Sequence, residues 1–155
     1  MNSYYKLMEH IKTIFEQDVN VSTISTEEAG LIDNYKKNLF PLVHVEVLDK
    51  QFTGLNGLAV DRYSVQIYVL DIRDINKNEV NDKFWLNDNR HDSLNKTGAI
   101  LKIALNKMVK DRLDTGITLT DSSGATPSVY EFGNLLDGWE QTWTVEVEDK
   151  LTTVC

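Results

Sequence analysis

Residues 138–149, with the sequence GWEQTWTVEVED, constrain the fold more than any other stretch of this chain. Apolar and polar residues alternate here, as in an extended strand that has one face in a core and the other in water. The predicted core face holds Trp139, Gln141, Trp143, Val145 and Val147, and the polar face holds Glu140, Thr142, Thr144, Glu146 and Glu148. Two indole rings on one strand need a large apolar partner surface, so the rest of the chain must supply neighbouring strands and a covering helix.

Two other segments alternate in the same way and predict the neighbouring strands. Residues 42–48 follow Pro41 and place valines on one side and His44 and Glu46 on the polar side. Residues 63–72, YSVQIYVLDI, predict a longer strand of the same kind. Weaker β patterns in residues 18–24 and 117–120 predict two short strands.

Two segments with helical periodicity are predicted to cover one face of this sheet. The apolar side chains of residues 4–15 recur at the spacing of one helical face. Residues 92–113 are the second segment, in which Gly98 allows a close approach. Its apolar stripe consists of Leu94, Leu101, Ala104, Leu105 and Met108. Ile103 falls opposite that stripe among polar residues, and Ile100 falls near its edge. We therefore predict that Ile100 and Ile103 contribute to a contact with another subunit.

Three connecting segments carry apolar residues among glycine, proline and polar residues. Residues 74–89 are predicted to be a long polar loop that Phe84 and Trp85 anchor. The connection at residues 51–60 and the loop at residues 121–138 are too rich in glycine or proline to pack as regular core. We predict that their apolar side chains become ordered against neighbouring proteins, namely Phe52, Leu55, Leu58, Val129, Tyr130 and Phe132.

Composition limits the classes of function. The chain has 155 residues, 41% of them hydrophobic, and a net charge of −8, which argues against a free-standing nucleic-acid binder. Its single cysteine, Cys155, forms no internal disulfide and fits a reducing compartment. The sequence has neither the form of a signal peptide at its start nor a run of membrane-spanning length.

Together these patterns predict one α+β domain over residues 1–155. Its mostly antiparallel sheet is packed on one face by two long amphipathic helices. The other face of the sheet is predicted to be acidic and to meet solvent or a lumen, because it carries Glu46, Glu140, Glu146 and Glu148. If that lumen holds DNA, the carboxylates repel the phosphate backbone and let the DNA slide.

The order of these elements resembles one family. It consists of the strands FPLVHVEV and YSVQIYVLDI, the helix DSLNKTGAILKIALNKM and the closing strand GWEQTWTVEV. This order resembles that of the tail-terminator and tail-completion proteins of tailed bacteriophages, which form neck rings between head and tail. A short-tailed virus with stacked neck rings, such as a crAss-like phage, fits the resemblance. The polar segment at residues 74–89 departs from a compact terminator.

The resemblance implies a structural protein that is not an enzyme and has no cofactor or metal. Its partners would be further copies of itself in a ring, the portal or connector, and the tail proteins of the virion. DNA would pass through the ring without specific binding, and no membrane would be involved. Such a protein is made in the host cytoplasm and is located in the virion.

A small metal-dependent enzyme or a ligand-binding α+β domain is the alternative. Residues 148–150 have the E-x-K spacing of metal-dependent nucleases, although a charged strand end explains them more simply. A metal cluster can also be imagined from Asp71, Asp74, Asp88 and His91, but solvated loop acids explain these residues better. Trp139 and Trp143 are predicted to pack in the core and not to stack on a base or sugar. The three histidines, His10, His44 and His91, are predicted to be surface residues.

Overall fold

The computed structural model describes residues 2–26, 39–53, 60–73, 83–85, 89–111, 115–129 and 136–149. These residues form an α+β fold of two helices and a six-stranded, mostly antiparallel sheet. The helices and strands follow one another as α1 (Ser3–Glu16), β1 (Thr23–Ser25), β2 (Leu42–Thr53), β3 (Val60–Ile72), α2 (Arg90–Lys110), β4 (Ile117–Ser122), β5 (Thr126–Val129) and β6 (Leu136–Glu148). Neither helix combines the length and apolar character that crossing a bilayer requires.

Three long strands, β2, β3 and β6, form the middle of the sheet. The order of strands is β1-β2-β3-β6-β4, and β5 pairs with the other end of β6. Every pair is antiparallel except β1 with β2. The predicted alternation of β6 and β3 is confirmed, since Tyr63, Val65, Trp143, Val145 and Val147 are buried on the face toward the helices. The predicted strand at residues 18–24 is shorter and later, because only Thr23–Ser25 reaches the start of β2.

Helix α1 begins where the Asn2 side chain accepts a hydrogen bond from the backbone N–H of Tyr5, at 3.1 Å. Its apolar residues follow the predicted helical spacing, and Leu7, Ile11, Ile14 and Phe15 are buried. The rings of Phe15 and Trp143 stack at a centroid distance of 6.2 Å and an angle of 9°. This contact joins α1 to β6, as the two indoles of that strand required.

Helix α2 lies against β6, and Gly98 makes this possible. A Cβ atom on Gly98 would lie 3.1 Å from the indole Nε1 of Trp139. That indole N–H donates a hydrogen bond of 2.7 Å to the carbonyl oxygen of Leu94. The predicted close approach at Gly98 is therefore confirmed. Gly116 follows α2 with φ of 68°, a conformation that glycine adopts without strain.

The segment predicted as a loop at residues 121–138 contains strand at residues 121–122, 126–129 and 136–138, so the prediction is wrong there; residues 130–135 lie outside the described ranges. Strand β4 continues to Ser122, β5 covers Thr126–Val129, and both pair with β6. The β4 pairing shifts register between Leu119 and Asp121, and Pro127 lies on β5. Glycine and proline are tolerated here because β4 and β5 form an outer edge, where one side of the backbone needs no strand partner.

The face of the sheet away from the helices is not uniformly polar. A second apolar cluster lies at one end of it, made of the buried residues Phe40, Leu42, Leu70 and Leu136. His44 lies on the same face and is completely buried, with its ring 5.8 Å from that of Tyr68. The prediction that His44 faces water is therefore wrong. The alternation of β2 places His44 on the correct face, but the residues around it cover that face locally.

Candidate oligomer interface

The outer face of α2 is basic in an acidic chain. The helix carries five cationic side chains, Arg90 and four lysines, against one carboxylate, Asp92. Its charge is therefore +4 within a chain of net charge −8, which leaves −12 for all other residues. Ile103 lies on this face with 46% of its surface exposed, and Ala99 and Asn106 beside it are also exposed. An apolar residue among lysines is a suitable centre for a contact with an acidic protein surface.

Ile100 does not share that exposed face. It is 2% exposed and belongs to the main core cluster with Leu101 and Ala104. The prediction that Ile100 contributes to an intersubunit contact is wrong for this fold. The buried face of α2 includes Ser93 and Thr97, and Thr97 Oγ1 donates a 2.6 Å hydrogen bond to the Ser93 carbonyl oxygen. Because these polar residues are buried, the core stripe is rotated toward Ile100.

A groove of about 270 Å³ runs between α2 and the β4–β5 edge. Its walls are mainly apolar, and they include Gly98, Leu101, Leu105, Ala125 and Trp139. Lys102 and Gln141 complete the lining. Gly98 lines the groove on the α2 side, and the exposed residue Ala125 lines it on the link between β4 and β5. Its size and lining suit one large apolar side chain.

The β2–β3 hairpin presents Phe52 to solvent, with 82% of its surface exposed. A register shift between Val47 and Asp49 makes Leu48 an extra residue, so Lys50 pairs with Tyr63 and Phe52 pairs with Asp61. Phe52 therefore lies on the same side of the sheet as the helices. The ammonium of Lys50 lies 4.7 Å from the centre of the Phe52 ring, which holds the ring by a cation–π contact.

Behind Phe52 a buried polar cluster fastens α1 to the hairpin. The Ser3 hydroxyl donates a short hydrogen bond to Asp61 Oδ2, and its oxygen lies 2.6 Å from the Tyr63 hydroxyl. Lys50 Nζ lies 3.1 Å from Asp61 Oδ2. Desolvation alone lowers the pKa of Lys50, but hydrogen bonds and charge interactions with Tyr63 and Asp61 outweigh it and raise the pKa above its usual value. Lys50 is therefore held as a cation, which suits a structural cluster and not a general base.

The predicted acidic residues divide into two groups. Glu46, Glu140 and Glu146 lie on the sheet face away from the helices, each beside a polar partner. Glu46 Oε1 lies 2.9 Å from His44 Nε2, Gln66 Nε2 donates to Glu140 at 3.4 Å, and Arg62 donates two hydrogen bonds to Glu146. Glu148 lies apart, at the end of β6. Both Glu148 and Lys6 approach Gly116, because a Cβ atom added there would lie 3.3 Å from Glu148 Oε2 and 2.9 Å from Lys6 Nζ. The acidic character of this face therefore rests on Glu46 and Glu140, because Arg62 neutralises Glu146.

The other two histidines also make side-chain contacts. His10 is partly buried, and its Nε2 lies 3.9 Å from Asp111 Oδ2. Burial lowers the pKa of His10, and the nearby Asp111 carboxylate opposes that shift. His91 stacks on Phe84 at 6.4 Å and meets the edge of Trp85 at 5.5 Å. Phe84 and Trp85 are predicted to anchor the loop at residues 74–89. Their ring centres are 4.8 Å apart, but the side chains are 73% and 59% exposed, and most of that loop lies outside the described ranges.

Among the residues of the metal hypotheses, Asp71 has another contact, since its Oδ2 lies 3.7 Å from Lys96 Nζ. Within the described ranges, no group of three or more His, Cys, Asp or Glu side chains is placed to hold a metal ion. Asp74, Asp88 and Lys150 lie outside those ranges, as does Cys155.

Several predicted interface residues also fall outside the described ranges, namely Leu55, Leu58, Tyr130 and Phe132. The backbone of Val129 ends β5 and pairs with Asp137.

Sequence reasoning missed the Ser3 cluster and the buried ion pair of Arg73 with Asp137, in which Arg73 Nε lies 2.6 Å from Asp137 Oδ2. The register of β3 against β6 is the only signal that brings the last pair together, because the two residues are 64 positions apart.

No protein-family model matches this chain, and no curated protein matches it in sequence.

Proposed function

We propose that this chain is a structural subunit of a head–tail neck ring in a tailed bacteriophage, of the tail-terminator or tail-completion class. It oligomerises around the channel through which the DNA passes and contacts the portal or connector on one side and the tail on the other. The strand and helix order of the sequence supports this class, as does an α+β fold with both helices on one face of an antiparallel sheet. In this proposal residues 1–155 act as one domain, made in the host cytoplasm and located in the virion.

The observation that carries the proposal is the presence of exposed apolar side chains on two separate elements. Phe52 lies on β2 and Ile103 on α2, and each has polar or charged neighbours. A ring needs a heterologous contact, in which one patch of a subunit meets a different patch of the next. Two exposed apolar side chains on different elements supply one anchor residue for each of two such surfaces.

The acidic sheet face supports an orientation of the subunit in which this face points toward the axis of the ring. With Glu46 and Glu140 toward the axis, the wall repels phosphate and DNA passes without sticking. The basic face of α2 then points away from the DNA. This arrangement separates the surface that faces DNA from the surfaces that join the subunits.

The experiment is to build particles with Ile103→Glu. Its carboxylate replaces an exposed apolar side chain, so the subunit folds normally. In the assembled contact the same carboxylate is buried without a partner, which costs on the order of a few kcal/mol per interface. We expect folded protein that is missing from the virion, with heads and tails unjoined, as seen by electron microscopy and by protein analysis of purified particles.

Val19→Glu is the matched control, because Val19 is 96% exposed on the turn after α1 and does not lie on α2. This variant should be incorporated normally. Normal incorporation and infectivity of Ile103→Glu as well would remove Ile103 from the contact. A chain that is never found in purified particles, even as wild type, would contradict the proposed function itself.

A further inference from the structure

We propose that the outer face of α2 in one copy docks on an acidic surface of the next copy, and that this acidic surface lies outside the α2 helix of that copy. The inference rests on the ring function proposed above and names the partner of the Ile103 contact. The occupant of the helix face is thus a second copy of this chain.

The outer face of α2 has an apolar side chain between cations. Lys96, Ile103 and Lys110 recur every seven residues, so they lie along one line on the helix, with about 10 Å between neighbours. All three side chains are exposed, and Lys102 is exposed beside Ile103. An apolar anchor with charges around it is the composition of a protein contact that has a polar rim.

The lysines of this face are not neutralised within their own copy. Lys96 Nζ lies 3.7 Å from Asp71 Oδ2, an ion pair at the surface. Within the part of the chain that the structure describes, Lys102 and Lys110 have no carboxylate at ion-pair distance. Asp111 follows the helix, but its carboxylate lies near α1. The face therefore keeps a positive charge that a partner can meet.

A second copy supplies the opposite charge. The chain has a net charge of −8, so two copies repel each other as whole molecules. Contact between two α2 helices would bring +4 against +4, and contact between two surfaces outside α2 would bring together parts of the chain that total −12 in each copy. Only α2 against the remainder of the next copy joins opposite charges. Because the two surfaces differ, this contact is also heterologous, as a closed ring requires.

Double-stranded DNA is the other polyanion that a basic helix face can bind, and it fits this face less well. The net charge of −8 repels the phosphate backbone. Ile103 and Val109 are 46% and 57% exposed, and a protein surface can bury them whereas phosphate cannot. The apolar side chains therefore favour a protein partner.

The first test compares two variants of equal net charge. Lys102→Glu with Lys110→Glu reverses two charges on α2, and Lys12→Glu with Lys83→Glu reverses two exposed lysines elsewhere. We expect the α2 variant to lower the amount of this protein in purified particles about tenfold, because attraction at the contact becomes repulsion. The control variant should be incorporated nearly as well as wild type. Equal losses would mean that net charge alone matters, and would overturn the contact.

A second measurement uses the wild-type protein, so it does not depend on the folding of a variant. Particles are assembled from a mixture of copies labelled with light and heavy nitrogen, and a carbodiimide then joins lysines to carboxylates that touch them. Linked peptides that combine light and heavy isotopes come from two different copies. We expect such peptides to join Lys102 or Lys110 to a carboxylate outside α2, and they identify the receiving surface.

Three results would contradict the inference. Particles that contain the protein but give no mixed peptide from α2 would overturn this contact and leave the ring function standing. Peptides that join α2 to another virion protein would assign the face to that protein. Retention of double-stranded DNA by the wild type at low salt, lost in Lys102→Glu with Lys110→Glu, would assign it to DNA. Wild-type protein that is absent from purified particles would overturn the ring function itself.

Discussion

Gly138 of β6 lies so close to Val69 of β3 that a Cβ atom on Gly138 would collide with the Val69 carbonyl oxygen. The two strands run antiparallel through this point, and Gly138 stands opposite Leu70. The clash would involve backbone and not the end of a flexible side chain, so the β3–β6 pairing cannot relax locally. Glycine at this position is thus a condition for the central strand pair.

We expect Gly138→Ala to destabilise the fold by ~3 kcal/mol. The measurement is the free energy of unfolding by chemical denaturation. Gly124→Ala is the matched control, because a Cβ atom there meets nothing within 4 Å. It should change stability by less than about 0.5 kcal/mol. Equal effects of the two substitutions would show that the close approach at Gly138 does not limit the pairing.

Two ion pairs in the sheet should differ sharply in their contributions to stability. Arg73 and Asp137 form a two-bond pair whose side chains are 4% and 0% exposed. Asp137→Asn leaves the buried guanidinium without its counter-charge and should cost about 3–5 kcal/mol. Glu146→Gln breaks the solvent-exposed pair with Arg62 and should cost less than about 1 kcal/mol. Comparable losses in the two variants would contradict this assignment.

The hydroxyl of Ser3 should contribute to the stability of the fold, although Ser3 is close to the start of the chain. It bonds both Asp61 and Tyr63, which are buried. Ser3→Ala leaves these groups with one partner fewer and should cost about 1–3 kcal/mol. Hydrogen exchange should then rise in the first turns of α1 before it rises in β6. A uniform change across the protein would mean that Ser3 does not fasten α1 to the hairpin.

Stability should also depend on pH through His10. Burial lowers its pKa in the folded state, so the unfolded chain binds more protons, and the free energy of unfolding increases with pH in this range. This contribution is complete above the ordinary histidine pKa of about 6.5 and is lost as pH falls from there toward the folded pKa. His10→Gln should flatten the stability profile between about pH 7.5 and 5.5. An unchanged slope would assign it to other groups.

Much of the fold followed from local patterns. The alternation in β3 and β6 depends on a side-chain period that neighbouring residues determine, so Tyr63, Trp143 and Val145 were placed correctly. Strands β4 and β5 could not be predicted in this way. Gly124 lies between the two strands and Pro127 lies in β5, and neither residue is typical of a strand. The two strands form because they pair with the free edge of β6. A local pattern does not reveal such an edge.

The site was predicted less completely, for reasons that are specific to each residue. Ile103 was placed on the exposed face of α2, whereas Ile100 was misplaced because the buried face of α2 also includes the polar residues Ser93 and Thr97. His44 has the predicted face, but the apolar cluster and Tyr68 cover it. The groove depends on Gly98 and Ala125, which come together only when α2 and the β4–β5 edge are packed. Sequence periodicity has no information on such contacts.

The last prediction concerns the face of the sheet that is proposed to line the channel. If Glu46 and Glu140 face DNA, Glu140→Lys turns a repulsive part of the wall into an attractive one. Glu46 is left in place because it bonds the buried His44. Glu140 lies away from the helices and from the proposed contact surfaces, so particles should assemble with the normal amount of this protein. DNA ejection should become slower, and raising the salt concentration should restore it, because salt weakens contacts of lysine with phosphate.

The control must make the same change in charge elsewhere on the surface. Glu9→Lys does so on α1, where Glu9 is exposed. If the acidic face lines the channel, only the sheet variant should slow ejection, and only its effect should respond to salt. Equal and salt-independent behaviour of the two variants would place Glu140 outside the channel. The ring would then have to present another surface to the DNA.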